Sequence, residues 1–221
     1  MKQVIVITGA SRGIGLSFCQ YYQSKGFEVH AVCRQASDAL SSLGVKVIEG
    51  VDISISRDVA KLKRTLKGVP VDLLINNAGI LHDETLGDLN YESIQQQFEV
   101  NALGPLRVTE ALLGNLSSGS KIALITSRMG SVSDNSSGGR YGYRMSKCAL
   151  NIAGMSLAMD LESQGIAVAL LHPGLVGTDM IGGHGDITPG QAAERLATRI
   201  EGLTLENTGT FWHSNGEVLP W

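Results

Sequence analysis

Residues 4–15 read VIVITGASRGIG. The run Val4 to Thr8 is continuously apolar or β-branched, as a strand buried on both faces requires, and it leads into a turn with three glycines. A helical pattern follows from Ile14 to Lys25. Strand, glycine turn and helix in that order aim free backbone N–H groups and the positive end of the helix at one point, where a pyrophosphate is stabilised. Gly9 permits the tight turn, Gly13 lets a ligand approach the main chain, and Gly15 lets the helix pack against the strand, while Ser11, Arg12 and Ile14 complete the loop. The spacing is Gly-x3-Gly-x-Gly, and such a turn can also be purely structural. The strand before it and the helix after it favour the nucleotide reading.

The same alternation runs along the chain. Strands are expected at Glu28 to Cys33, Val45 to Glu49, Val71 to Asn76, Lys121 to Thr126 and Ile166 to His172, with a further short one at Thr210 to His213. Helices are expected at Ala36 to Leu43, Ser56 to Leu66, Tyr91 to Leu113, Tyr143 to Ser163 and Pro189 to Ile200. This is the pattern of an α/β fold, a doubly wound parallel sheet covered on both faces by right-handed crossovers. With 221 residues and no repeat, charge block or linker, residues 1–221 are expected to form one domain. Two segments rich in Ser and Gly, Arg128 to Tyr141 and Gly177 to Thr188, read as loops. Each follows the C-terminal end of a strand, where open α/β sheets bind ligands, so they are either substrate-site walls or ordinary surface loops.

The net charge of −3 argues against nucleic acid as the main partner. The three cysteines, Cys19, Cys33 and Cys148, are odd in number and lack a CxxC spacing, which suits a reducing, cytoplasmic setting and suggests neither disulfides nor zinc. The five histidines show no metal-ligand spacing, and His172 before Pro173 reads as core packing. No apolar run approaches the about 20 residues of a membrane span, and MKQVIVITGA lacks the features of a signal peptide.

TGASRGIG, Asn76-Asn77-Ala78-Gly79, Tyr143-x-x-x-Lys147 and Pro173-Gly174 occur in this order across nearly the whole chain. Together they resemble the short-chain dehydrogenases/reductases, and ITSRMGS, YRMSK, HPGLVGTDM and the terminal LPW resemble the small carbonyl reductases grouped with the C-factor and sniffer proteins. The resemblance implies a Rossmann-type sheet of order 3-2-1-4-5-6-7. It assigns Asp52 to the adenine amino group and Ile53 to a backbone contact with the adenine. Asn77, Ala78 and Gly79 fall along the adenine ribose, and Pro173, Gly174, Val176 and Thr178 fall at the nicotinamide carboxamide. The turn from Asn76 to Gly79 also serves strand packing without any ligand. Asn101, within FEVNA, matches the family residue that holds a proton-relay water; the other reading is a buried Asn bonded to a neighbouring carbonyl. Related proteins form dimers or tetramers through the helices that hold Asn101 and Tyr143.

The chemistry follows from residue types. Tyr143 and Lys147 are four apart and share one helix face. An ammonium and an oxidised nicotinamide both favour the phenolate of a tyrosine whose ordinary pKa is near about 10. In the reductive direction the phenol gives its proton to a carbonyl oxygen as hydride reaches the carbon, and Ser127 hydrogen-bonds the same oxygen. Lys147 also reaches the nicotinamide ribose. Thr126, one residue earlier on the strand, should face away from Ser127, while Ser131 and Ser133 lie out in the loop. Tyr141 has Met145 rather than a lysine four residues on, and is expected with Met129 and Met180 as the wall of an open pocket.

The expected cofactor is NADP(H). Enzymes that prefer NAD place an acid after the second strand to accept the ribose 2′-hydroxyl. Here Cys33 is neutral and Arg34 basic, Arg12 approaches the same ribose from the glycine loop, and Asp38 lies too far on to replace the acid. The sequence thus reads as a carbonyl reductase acting on a small-molecule carbonyl or alcohol, with a non-catalytic nucleotide-bound signalling protein as the alternative. A methyltransferase shares the sheet but has no use for the Tyr-x3-Lys pair.

Overall fold

The computed structural model describes residues 2–221. The strands are β1 (Val4–Thr8), β2 (Glu28–Val32), β3 (Lys46–Ile48), β4 (Leu73–Asn76), β5 (Lys121–Ile125), β6 (Ala167–His172) and β7 (Phe211–His213). They pair in the order β3-β2-β1-β4-β5-β6-β7, all parallel. This is the sheet order expected from the sequence. The helices are α1 (Gly13–Ser24), α2 (Asp38–Ser41), α3 (Ser56–Thr65), α4 (Tyr91–Phe98), α5 (Gly104–Leu112), α6 (Tyr141–Glu162) and α7 (Pro189–Glu201).

Alternation along the strands sorts the core onto two faces. Ile5 and Ile7 of β1 pack with Phe18 of α1 and Leu196 of α7, whereas Val6 joins Leu62 of α3, Val108 of α5 and Leu150 of α6. The sheet is thereby buried on both sides, which is why its strands read as unbroken apolar runs.

Three elements differ from the sequence expectation. The stretch Tyr91 to Leu113 is not one α-helix. Between α4 and α5 the backbone adopts a π-helical segment, Glu99–Leu103. Pro105 supplies the reason, since it has no N–H to return to the carbonyl four residues earlier, so the ladder must shift register there. Gly104 also lets the chain press onto Ile53, where a Cβ would lie 2.7 Å from the Ile53 side chain. The helix carrying Tyr143 begins two residues earlier than expected, at Tyr141, and the segment 36–43 holds only the single turn of α2. Among the described residues no helix is long and apolar enough to cross a membrane.

Candidate active site

The glycine loop leaves β1 with Gly9 at φ +67°, a left-handed conformation that a side chain resists. A Cβ there would also meet Ala78 Cα at 2.7 Å. Gly15 is required by close approach: a Cβ would overlap the Gly9 carbonyl and Asn77 Nδ2. Asn77 fastens the two loops, its Nδ2 donating to Thr8 O at 3.0 Å and Gly9 O at 3.2 Å, while Thr8 Oγ1 accepts from Asn77 N and Ala78 N. The turn from Asn76 to Gly79 therefore does structural work at the sheet centre. Helix α1 starts at this cradle with no side-chain cap and no acidic residue in its first turn. Its free N–H groups and positive dipole end suit an anionic pyrophosphate. Thr178, whose methyl would lie 3.4 Å from a Cβ on Gly13, closes the far side.

Around this cradle the remaining expected cofactor residues take definite places. Ser11 O accepts from Ser37 Oγ at 2.6 Å, and Ile14 packs on the core. Arg34 stands exposed just past the end of β2, with its guanidinium 4.0 Å from Asp52. Asp52 Oδ1 is engaged locally, accepting from Ser54 N at 2.9 Å and Ser54 Oγ at 2.6 Å, and Ile53 is buried. Arg12 does not turn toward Arg34. It extends to Asp179 at 3.5 Å, and both ion pairs are too exposed to hold either cation firmly. Gly174 sits at φ +93°, Pro173 O accepts from Ser214 Oγ at 2.8 Å, and Val176 is buried and bridges to Ile187.

Beyond the cradle, the C-terminal ends of β4 and β5 meet the first turns of α6. Lys147 is buried and donates to Ile125 O at 2.9 Å, with its Nζ 5.7 Å from the centre of the Tyr143 ring. Ser127 is buried at the end of β5, its Oγ accepting from Met129 N at 3.2 Å. Thr126 faces the other way and donates to Asn151 Oδ1 at 2.6 Å, as strand alternation requires. A Cβ on Gly79 would touch both Asn101 Oδ1, at 3.2 Å, and Lys147 Nζ, at 3.6 Å, so these side chains converge on one spot.

Residues 3–186 match the family described as short chain dehydrogenase. The chain belongs to this family. It is 41% identical to 1-hydroxy-2-glutathionyl-2-methyl-3-butene dehydrogenase of Rhodococcus sp. (strain AD45), over 98% of this chain and 99% of that protein. It is 45% identical to the C-signal of Myxococcus xanthus over 155 residues, covering 69% of this chain and 93% of that one. The NADPH-bound carbonyl reductase from chicken fatty liver shares the fold at a TM-score of 0.88 and 28% identity, over 100% of this chain and 99% of that chain.

In this short chain dehydrogenase, electrostatics set the trio's protonation. Burial pushes the Tyr143 phenol up, opposed by a hydrogen bond from the Ser127 side chain and by the positive charge of Arg140. Burial likewise lowers the Lys147 ammonium, to about 8. Asn101 is fully buried on the π segment and clamps the main chain: Oδ1 accepts from Ile80 N at 2.8 Å, and Nδ2 donates to Ile80 O at 2.8 Å and Ser146 Oγ at 3.0 Å. These are the bonds of the alternative reading, in which Asn101 holds a neighbouring carbonyl. His172 is buried edge-on against His213 with ring centroids 4.8 Å apart, and burial, with help from His213 and Arg128, pushes its imidazole down to about 3.

The expected pocket wall is only partly observed. A cleft of about 450 Å³ is lined by Met129, two residues after Ser127, and by Arg144, the residue after Tyr143, but not by Ser127, Tyr143 or Lys147 themselves, nor by Tyr141 or Met180. Its other residues come from 83–85, 137–140 and Arg144. Sequence reading also missed Glu84. This carboxylate is buried, accepts from Gly142 N at 3.0 Å, Ser93 Oγ at 3.2 Å and Gln97 Nε2, and so caps the first turn of α6 from another segment. Arg140, the N-cap residue by position, sits at φ +50° and supplies no side-chain cap. No local pattern marks a cap supplied from 58 residues away. Glu84→Gln should place an N–H against a donor, cost about 1–3 kcal/mol of stability and lower kcat by loosening the turn that carries Tyr143. Urea unfolding midpoints with steady-state rates check this; unchanged stability would show that the cap is dispensable.

Proposed function

We propose that the chain is an NADP(H)-dependent oxidoreductase that interconverts a carbonyl compound and its alcohol, acting chiefly as a carbonyl reductase. The observation that carries this reading is Tyr143 hydrogen-bonded to the Ser127 side chain and with Lys147 Nζ 5.7 Å from its ring centre, beside the uncapped glycine cradle. When bound, the dinucleotide supplies or accepts the hydride at its nicotinamide ring. Gly9, Ser11, Arg12, Gly13, Ile14 and Gly15 hold the phosphates; Asp52, Ile53, Asn77, Ala78 and Gly79 line the adenosine; Pro173, Gly174, Val176 and Thr178 hold the carboxamide. Ser127 orients the substrate oxygen, Tyr143 gives or takes its proton, and Lys147 holds the ribose and keeps positive charge near the phenol. Asn101 positions this set by tying Ile80 to Ser146 on α6. The substrate of the Rhodococcus relative favours an alcohol or carbonyl with a bulky glutathionyl substituent. Initial rates of NADPH oxidation with aldehydes, ketones and quinones, and of NADP⁺ reduction with hydroxyalkyl glutathione conjugates, test the assignment. No turnover in either direction would overturn it.

NADP(H) is favoured by Arg34 following buried Cys33, where a 2′-hydroxyl reader would be acidic, and by the NADPH bound to the chicken enzyme. Wild type should prefer NADPH over NADH in kcat/KM, and Arg34→Asp should reverse or abolish that preference through repulsion of the 2′-phosphate. Equal use of both cofactors by the wild type would remove Arg34 from this role.

The similarity to the C-signal favours a second reading, a nucleotide-binding signalling protein. Retention of the full trio weighs against it, and the same turnover assay separates the two.

A further inference from the structure

The cleft of about 450 Å³ carries more charge than a site for a simple apolar carbonyl compound needs. Asp83 Oδ1 and Arg140 Nε neutralise each other at 2.5 Å. Glu84 is directed inward to Gln97, Ser93 and Gly142 N, away from any ligand. Arg144 is different. Its guanidinium donates only to neutral groups, Ser137 Oγ at 2.8 Å, Gly138 O at 3.2 Å and Met129 O at 3.5 Å, and among the described residues no carboxylate pairs with it. Arg144 is therefore the one cation of the lining without an ion-pair partner among the described residues, while the inward-turned Glu84 carboxylate brings the four charged side chains of the lining to a formal sum of zero. Arg140, the residue before α6, and Arg144, in its first turn, are linked by Arg144 N donating to Arg140 O at 2.9 Å and flank Tyr143 in sequence. Met129 joins the cleft to the reaction centre, since it lines the one and its N–H holds Ser127 Oγ in the other.

We propose that this cleft is an anion subsite in which Arg144, assisted by Arg140, binds a carboxylate carried by the substrate at the end remote from its reacting carbon. A guanidinium presents parallel N–H donors that match a carboxylate, and its single free charge is satisfied by a mono-anion. A cationic tail is repelled, and an apolar tail leaves the charge unpaired. The inference rests on the oxidoreductase reading and narrows its substrate class to carbonyl compounds or alcohols with an anionic arm.

The test is a series of aldehydes bearing a terminal carboxylate on chains of increasing length, each against its methyl ester. The readout is the acid-to-ester ratio of kcat/KM within each protein, so that a general loss of activity cancels. In wild type the ratio should exceed about tenfold at the chain length that spans the two sites and fall with rising salt. Arg144→Gln should bring it near one, and Arg144→Lys should recover part of it. A wild-type ratio at or below one for every length, or an unchanged ratio in Arg144→Gln, overturns the subsite. If wild type reduces neither acids nor esters, the oxidoreductase reading fails, and the subsite is read by NMR titration with 6-hydroxyhexanoate. Binding by wild type that Arg144→Gln abolishes supports it, and no binding overturns it.

Discussion

Tyr143→Phe is expected to lower kcat/KM for carbonyl reduction by about 10²–10⁴-fold, the range removed with a positioned proton donor. The ring remains, so packing against the Lys147 side chain and the fold should survive, and the dissociation constant for NADPH should change little. Burial holds the phenol protonated through the neutral range, which is the state needed to give a proton to the developing alkoxide. A raised phenol pKa means that reduction does not gain from falling pH near neutrality and that the phenol's contribution is lost only at alkaline pH, where oxidation of the alcohol gains a base. Stopped-flow single turnovers with fluorescence titration of NADPH separate the two effects. A variant with wild-type rates would remove Tyr143 from the reaction, and one with intact chemistry but weakened cofactor binding would make it a packing residue.

The centre of the sheet was legible because β1, β4, β5 and β6 are buried almost along their length and so read as apolar runs, whereas the edge strands β3 and β7 are partly exposed. The alternation expected between Thr126 and Ser127 shows in their separate bonds, Thr126 donating to Asn151 Oδ1 and Ser127 Oγ accepting from Met129 N. What could not be read depends on contacts distant in sequence. Pro105 and Gly104 were visible, but the π segment they impose also depends on the close approach of Ile53, distant in sequence and packed in the same layer as α5. Glu84 resembles any loop acid until the chain folds and sets it beneath Gly142. Arg12 is expected to share a phosphate with Arg34; its guanidinium lies 3.5 Å from Asp179, on a segment after β6, in a pair too exposed to fix it there. The cleft was not legible for a similar reason, because residues 83–85, 137–140 and Arg144 meet only in three dimensions.

Lys147→Met should cost most of the activity and yet leave the cofactor-free protein more stable at pH 7. Lys147 is 4% exposed, its one hydrogen bond is to a carbonyl, and among the described residues no carboxylate pairs with it. Burial therefore disfavours the ammonium and lowers its pKa from 10.5 to about 8. A shift of this direction means that the unfolded chain binds the extra proton between pH 8 and 10.5, so stability rises with pH across that window and the full penalty is present below it. At 1.36 kcal/mol for each pH unit the penalty is on the order of 3 kcal/mol. Methionine fills a similar volume without the charge, and the bond lost to Ile125 O returns about 1 kcal/mol of the gain. The variant should then be more stable at pH 7 by roughly 1–3 kcal/mol, a rise in Tm of about 2–4 °C for each kcal/mol in a chain of this size. Its advantage should shrink as pH climbs toward 10.5, because the wild-type lysine sheds its proton there. Activity moves the opposite way, since the phenol loses its neighbouring charge and the ribose its anchor. Such a split, stability gained and activity lost, is the result expected if the ammonium is kept for chemistry rather than for folding. Thermal melts of both proteins from pH 7 to 10.5 decide the matter: a variant less stable at pH 7, or a difference that does not change with pH, would show that the ammonium is not the source of the strain.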